Sequence, residues 1–202
     1  MAGGSVFHRV STNALGSKTN EAMFQLIRAN DVELADMTIE NANIGIFINN
    51  RDPGNTDRIL LNRLIIRNGG SIGIQASYSS SNIFERVVVR NQLGRGIELD
   101  NCGGISLLSS VIWSNGSDAI AARKSTLNIT NTQLHVYGPV TNAILDLFDS
   151  LTRSDYNNYR VEGSASYALI NDEPIGGLPQ YIERRTQDVH SISVDPLFAD
   201  PA

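Results

Sequence analysis

The amino-acid sequence predicts an all-β fold: a single chain coiled into a right-handed parallel β-helix of about five to six turns with irregular terminal caps. Three observations predict it. A small residue followed by isoleucine recurs about every 23 residues, and an asparagine that closes an apolar run keeps the same period. Within each repeat the apolar residues alternate with polar ones, as they do along a β-strand.

The pairs of a small residue and isoleucine set the period most clearly, because their isoleucines are spaced by 28, 23, 23 and 24 residues. The pairs are Gly45-Ile46, Gly73-Ile74, Gly96-Ile97, Ala119-Ile120 and Ala143-Ile144. The asparagine ladder is Asn41, Asn68, Asn91 and Asn115, and a third ladder is Ile59, Ile83, Ile105 and Leu127. The first two ladders stretch together only at the turn at residues 49–58, and the third begins directly after it, so all three mark equivalent positions in successive coils.

A leucine-rich repeat has a similar period and is the main alternative fold. In that repeat the asparagine falls three residues after the last leucine of the strand, whereas Asn68 follows Ile66 by two and Asn91 follows Val89 by two. The segment at residues 77–82 also lacks the pattern of the helix that packs outside such a horseshoe. These observations favour three short strands in each repeat.

Each coil is expected to bury a ring of Ile, Leu and Val and to form hydrogen bonds with the coils above and below. Equivalent residues then lie about 4.8 Å apart along the stack, so stacked asparagines can bond to one another. We interpret the asparagine ladder as structural. Parallel connections are right-handed in nearly all proteins, which predicts the hand of the coil.

The repeat over residues 32–147 resembles the right-handed parallel β-helix, or pectate-lyase-like, superfamily. The tail resembles the final segment of many secreted bacterial β-helix repeat proteins, through Asp155-Tyr156-Asn157-Asn158-Tyr159, Asp188-Val189-His190-Ser191-Ile192 and Asp195-Pro196-Leu197-Phe198. The resemblance implies extracellular, carbohydrate-related work, and a chain that is a fragment or a minimal member. It carries over no catalytic residue, because the sequence lacks the motifs of polygalacturonases, alginate epimerases and pectate lyases, and fold alone does not fix function.

Three segments are predicted. Residues 1–31 form an N-terminal cap and a degenerate first coil, residues 32–148 the regular β-helix, and residues 149–202 an irregular C-terminal cap. Trp113 falls at an inward position by alternation, which predicts a core residue, and His190 is expected to form hydrogen bonds within the cap.

The net charge of −5 and the pI of about 5.1 argue against nucleic acid or an anionic membrane as the main partner. No apolar run is long enough to span a bilayer, and the first five residues do not read as a signal peptide. No metal-ligand spacing joins the histidines, and Cys102 is the single cysteine. We therefore expect no cofactor or metal; the oxygen-rich turn at residues 49–55 suits calcium, but it equally has the composition of an ordinary turn.

The candidate site lies on the outward side of the strands that carry the isoleucine pairs. Alternation places Glu98 and Asp100 there, roughly 7 Å apart, with Arg123 one rung away. The two carboxylates suit acid and base roles in glycoside cleavage, and the arginine suits neutralisation of a uronate. The substrate-binding candidates are Asn49, Gln75, Ser77 and the stacking residue Tyr78. The alternative is a solvated sheet face with an Asp100–Arg123 ion pair that contributes little.

A second outward surface is basic. It carries Arg63, Arg67, Arg86 and Arg90, whose guanidinium groups match the carboxylates of an acidic polysaccharide. The alternative is that Asp36, Glu40 and Glu85 neutralise these arginines. Between them runs an apolar column, Ile65, Val88 and Ile112, which we expect the N-terminal segment or the tail to cover.

Together these features predict an extracellular carbohydrate-binding or carbohydrate-processing β-helix, with lyase or glycoside hydrolase chemistry open. The other class that fits is a non-catalytic structural or adhesive module from a larger surface or phage-related protein. The sequence does not determine the oligomeric state or the substrate.

Overall fold

The computed structural model describes residues 5–8, 22–50, 58–114, 116–139 and 141–195. Within them the chain forms a parallel β-solenoid of about six turns, which confirms the predicted parallel β-helix. Its right-handed sense stays a prediction. Each coil contributes strands to three faces. The strands are numbered in chain order, and the faces are called first, second and third.

The first face is an eight-stranded sheet, parallel except for its last strand. Its strands are β2 (Ala22–Ile27), β4 (Ile44–Asn49), β6 (Ile72–Ser77), β9 (Ile97–Asp100), β12 (Ile120–Arg123), β15 (Ala143–Phe148), β18 (Ser166–Ile170) and the antiparallel β19 (Glu173–Ile175).

The second and third faces share their first strands, because β3 (Glu33–Glu40) and β5 (Leu60–Arg67) bend from one face to the other. The second face continues with β7 (Ile83–Glu85), β10 (Ile105–Leu108), β13 (Thr126–Thr130) and β16 (Leu151–Asp155). The third face comprises β1 (Ser5–His8), β8 (Val88–Arg90), β11 (Val111–Ser114), β14 (Gln133–Gly138) and β17 (Asn158–Gly163). A short helix, α1 (Leu178–Arg185), follows β19.

The isoleucines of the first face stack as predicted over four coils. Ile46 is in register with Ile74, which pairs in turn with Ile97 and then Ile120, and all are buried. The next partner of Ile120 is Leu145, so the expected alignment with Ile144 is wrong by one residue.

The third predicted ladder is also wrong by one residue at Ile83. This side chain is in register with Leu60 and Ser106 and is 40% exposed. The buried column beside it is Leu61, Phe84, Leu107 and Ile129. Side chains alternate between the two sides of a strand, so a slip of one residue moves a side chain from the core to the surface.

The bend between the second and third faces is made by one residue with positive φ in each coil. Arg63, Arg86, Ser109, Asn131 and Tyr156 all have φ between 48° and 59°. A second corner contains the asparagine ladder, in which Asn91 Nδ2 donates to Asn68 Oδ1 at 3.2 Å, as predicted. Asn115 lies outside the described residues.

Side-chain oxygens of one coil also hold the backbone of the coil before it. The amide of Val87 donates to Ser110 Oγ, that of Ser110 to Thr132 Oγ1, and that of Thr132 to Asn157 Oδ1. Ser110, Thr132 and Asn157 are buried, and these bonds satisfy amides that the turn would otherwise leave without a partner.

The stack continues one coil beyond Phe148, through β16, β17 and β18, into the segment that the sequence analysis assigned to the cap. Polar side chains such as Thr152 and Ser154 replace the aliphatic ones inside this coil, and both are buried. Helix α1 then closes the end with Tyr181, whose ring lies 5.3 Å from that of Tyr167. At the opposite end the inward residues Phe24, Leu26 and Leu34 are only partly buried.

Candidate functional site

The outward side of the first face carries two columns of side chains in the predicted register. The first contains Phe47, Gln75, Glu98 and Ala121 and continues to Asp146; the second contains Asn49, Ser77, Asp100 and Arg123 and continues to Phe148. Successive members belong to adjacent strands, so each column follows the axis of the stack.

Glu98 is held at the centre of the first column by neighbours on both sides. Gln75 Nε2 donates to Glu98 Oε1 at 3.0 Å, and Arg95 Nη1 donates to Glu98 Oε2 at 2.6 Å. Arg95 also donates through Nε to Asp118 Oδ2 at 3.1 Å. Asp118 is buried, and its other oxygen accepts the amide of Ala143 at 2.9 Å.

Arg95 and Asp118 were missed by the sequence analysis. Each directly precedes the small residue of an isoleucine pair, Gly96 and Ala119, so a further column before these pairs was the available signal. These residues fix the orientation of Glu98, because the guanidinium group of Arg95 bridges two carboxylates.

Asp146 is the second carboxylate of the first column, two rungs from Glu98. The residue between them is Ala121, which is buried. Two rungs correspond to roughly 9–10 Å. Burial and the nearby carboxylate of Asp118 raise the pKa of Asp146 above its ordinary value, while Arg95 and Arg123 act in the opposite direction.

Asp100 and Arg123, expected as an ion pair, have other partners. Asn101 Nδ2 donates to Asp100 Oδ1 at 2.9 Å, and the guanidinium carbon of Arg123 lies 5.7 Å from the centre of the Phe148 ring. Arg123 and Phe148 are both exposed. They present a cation and an apolar ring side by side at the edge of the first face.

The remaining first-face candidates lie in the same surface. Ser77 stands between Asn49 and Asp100 in register, and Tyr78 follows it in the turn with 46% of its surface exposed. Asn49 Oδ1 is buried and has no hydrogen-bond partner among the described residues. Most of the turn proposed for calcium, residues 51–55, lies outside the described residues.

Arg63 and Arg86 lie at the bend between the second and third faces, Arg67 is in register with Arg90 on the third face, and carboxylates accompany most of the four. Asp36 pairs with Arg63 at 2.5 Å, Glu85 pairs with Arg86 at 2.8 Å, and Glu40 pairs with Arg67. Within the described part of the chain Arg90 forms no ion pair with a carboxylate. The neutralising alternative therefore holds for these three arginines.

The apolar column of the third face differs from the prediction at Ile112. Val111 pairs with Val88, whereas Ile112 pairs with Val89 and is buried inside the stack. Ile65 is 38% exposed. Strand β1 adds a rung to this sheet by pairing with β3, so residues 5–8 extend the face and do not cover Ile65.

The same slip turns Trp113 outward, and its prediction as a core residue is wrong. Trp113 is in register with Arg90 and with His135, whose ring centre lies 5.1 Å from its own in an edge-on arrangement. His135 is nearly buried, and this burial lowers its pKa below the ordinary value, although Glu162 acts in the opposite direction.

A groove of ≈ 320 Å³ runs between the second face and the segment after α1. Its walls include Asn128 and Arg153 from the strands and Gln187 from that segment. The predicted cap role of His190 is confirmed beside it, because His190 binds Asp155 through its amide at 2.9 Å and through Nδ1 at 2.7 Å.

No protein family, curated protein or solved structure matches this chain. Among the described residues there is no helix long and apolar enough to cross a membrane. In that same part of the chain, no group of three or more His, Cys, Asp or Glu side chains is placed to hold a metal ion.

Proposed function

We propose that this chain is an extracellular carbohydrate-binding β-solenoid that holds an extended glycan along the outward side of its first face. The observation that carries the proposal is the polar column Gln75, Glu98 and Asp146, flanked by Arg95 and Arg123. The extracellular setting comes from the family resemblance of the repeat and the tail.

The geometry of the column suits a polymer. Gln75 and Glu98 lie one rung apart, about 4.8 Å, and Asp146 lies two rungs beyond Glu98, so a linear ligand meets an amide and two carboxylates along the stack. Hydrogen bonds between Gln75, Glu98 and Arg95 fix the side chains before a ligand arrives, which reduces the entropy lost on binding.

Arg123 and Phe148 add a feature that favours acidic sugars. Arg123 makes no ion pair with a carboxylate within the described residues, so its charge is available to the carboxylate of a uronate. The exposed ring of Phe148 offers an apolar surface to the C–H face of a sugar. An acidic polysaccharide is therefore the ligand class that we propose for this face.

Hydrolysis is the second candidate, favoured by the Glu98–Asp146 pair. The backbones at these two positions lie roughly 9–10 Å apart, just above the range of about 6.5–9.5 Å between carboxyl groups that leaves room for a water molecule in inverting glycoside hydrolases, so the reaction requires the two side chains to lean toward each other. In this reaction Asp146, whose pKa is raised, gives its proton to the leaving glycosidic oxygen as the C–O bond breaks. Glu98 accepts a proton from the water that attacks the anomeric carbon. Asp146 thus takes the place of Asp100 as the proposed partner of Glu98.

The test is titration of the protein with soluble acidic and neutral polysaccharides, with binding and released reducing ends measured separately. R123A is expected to weaken binding of the acidic polymers about tenfold, because a charge-assisted hydrogen bond contributes about 1.5–3 kcal/mol. E98Q and D146N are expected to abolish any release of reducing ends. R184A, which removes an exposed arginine on α1, is the control for charge and should bind as the unaltered protein does.

The outcomes separate the function classes. Binding without release of reducing ends supports the carbohydrate-binding function alone. Release that survives both E98Q and D146N contradicts the hydrolytic candidate. If no polysaccharide binds, or if R123A and R184A weaken binding equally, the first-face proposal is wrong and the structural or adhesive module becomes the better description.

A further inference from the structure

The groove on the second face is a shallow, open site that is separate from the first face. Its volume of ≈ 320 Å³ falls at the lower end of the range of small-molecule sites. The side chains that line it are mostly polar: Asn128, Thr130, Arg153, Asp155, Thr186 and Gln187. Amides, hydroxyls and one guanidinium group suit a small ligand that is rich in hydroxyl groups.

The base of the groove is fixed by hydrogen bonds. Asp188 is fully buried and accepts hydrogen bonds from Asn157 Nδ2 at 3.2 Å, Tyr159 at 3.0 Å and Ser191 Oγ at 2.6 Å, and from Ser154. Its charge is therefore surrounded by donors from the protein itself. A base held in this way needs little reorganisation when a ligand binds.

Asp155, the other acidic residue of the groove, also accepts hydrogen bonds from the protein itself. It accepts the amides of Tyr156 and His190 and contacts the His190 ring. Burial opposes its ionisation, but the bonds from His190 and Tyr156 lower the pKa of Asp155 below its ordinary value. Asp155 therefore stays ionised and directed to the segment after α1.

Among the residues that line the groove, Arg153 carries the charge that no partner within the described residues neutralises. It is exposed, and within the described residues it forms no ion pair or side-chain hydrogen bond. Gln187 Oε1 accepts a bond from Thr152 at 3.4 Å and lies 3.3 Å from Ser154 Oγ, whose hydrogen is donated to Asp188, so the amide nitrogen of Gln187 is left as a donor. The carbonyl end of α1 lies nearby at Thr186, but Arg185 in the last turn offsets that partial negative charge, whereas Arg184 is paired with Glu173.

From this balance of charges we infer that the second-face groove binds one anionic sugar unit, with the anionic group on Arg153 and ring hydroxyls on Asn128, Thr130 and Gln187. A carboxylate and a sulfate both match the guanidinium group, so the shared chemistry is a polyol with one anionic substituent. The inference does not depend on the first-face proposal, because the two sites share no residue.

The test is an NMR or calorimetric titration with glucuronate, glucose 6-sulfate, neutral glucose and inorganic sulfate. Saturable binding of glucuronate or glucose 6-sulfate is expected, and the preferred one identifies the anionic group. Glucose and sulfate alone should bind at least about tenfold more weakly, because each lacks half of the contacts.

The variant R153A tests whether the groove is the binding site. R153A is expected to weaken binding of the anionic sugar about tenfold or more, R153K to retain part of it, and R184A to leave it unchanged. Arg153 is exposed, so R153A is expected to fold, and an unchanged unfolding midpoint verifies this. Equal binding by R153A and R184A, no saturable binding, or loss of binding only in R123A would each overturn the inference.

Discussion

The phenol of Tyr159 donates a hydrogen bond of 3.0 Å to Oδ1 of Asp188, and neither residue is exposed to solvent. Asp188 belongs to the segment after α1, and Tyr159 belongs to the last regular coil. This contact therefore ties the cap to the stack at the place where the interior changes from aliphatic to polar.

Replacing Asp188 by alanine is expected to destabilise the fold by about 3 kcal/mol or more, because Asn157, Tyr159 and Ser191 lose an acceptor in a buried setting. The asparagine variant, which keeps one carbonyl oxygen, should lose less. Urea unfolding followed by circular dichroism measures both. The matched control is D149A at an exposed aspartate, and equal losses in D188A and D149A would show that the buried network adds nothing.

Asn82 is a buried polar residue in the turn directly before β7. Its Oδ1 accepts the amide of Ile59 at 3.0 Å, and its Nδ2 donates to Ser79 Oγ at 2.5 Å. N82A should cost about 2 kcal/mol because it leaves a buried amide without a partner. N30A, at an exposed asparagine without positive φ, is the comparison in thermal unfolding; a variant N82A as stable as N30A would contradict this role.

Gly96 is required by the close approach of adjacent coils on the first face. A Cβ at this position would lie 2.6 Å from the carbonyl oxygen of Ala119 and 2.6 Å from Ile112 Cγ2. G96A is therefore expected to destabilise the protein by about 1–3 kcal/mol through overpacking. Gly103, where the nearest atom to a new Cβ is 3.6 Å away, is the control, and G103A should change the unfolding midpoint little.

Asp146 should make stability depend on pH in a direction that can be worked out. Its pKa is raised in the folded protein by burial and by Asp118, so the folded state binds a proton more tightly than the unfolded state. The free energy of unfolding should fall as the pH rises from the unfolded pKa of about 4 through the raised value.

The variant D146N removes this dependence. It should be more stable than the unaltered protein at neutral pH and indistinguishable from it below the unfolded pKa. Thermal unfolding measured from about pH 3 to about pH 8, which spans that pKa, gives the difference between the two proteins. D149N serves as the control, and a stability gap that grows toward acid pH would contradict the assignment.

Much of the fold follows from the sequence because the interior of a solenoid repeats with the chain. The column from Ile46 to Ile120 and the outward positions of Gln75 and Glu98 were predictable from alternation. Alternation failed where an extra residue intervenes. Aligning Asn115 with Asn91 placed Ile112 opposite Val88. In the structure Val88 is in register with Val111, so the spacing between equivalent residues of β8 and β11 is one residue shorter than predicted.

The last coil and the partners of Glu98 were not predictable for different reasons. Thr152 and Ser154 point inward although they are polar, because Tyr181 and Gln187 offer them hydrogen bonds that no local pattern reveals. Arg95 reaches Glu98 and Asp118 from a turn, and turn residues show no strand alternation. Contacts between distant segments decide the first case, and the conformation of a turn decides the second.

The two ends of the stack are closed unequally, so local unfolding is expected to begin at one end and not at the other. Phe24, Leu26 and Leu34 are only partly covered in the first coil, whereas Tyr159, Tyr167 and Tyr181 seal the last. In a chain of units that touch only their neighbours, opening starts where the terminal contact is weakest. Amide protons should therefore exchange with deuterium earliest near β2 and latest near β17, so that protection rises steadily along the axis.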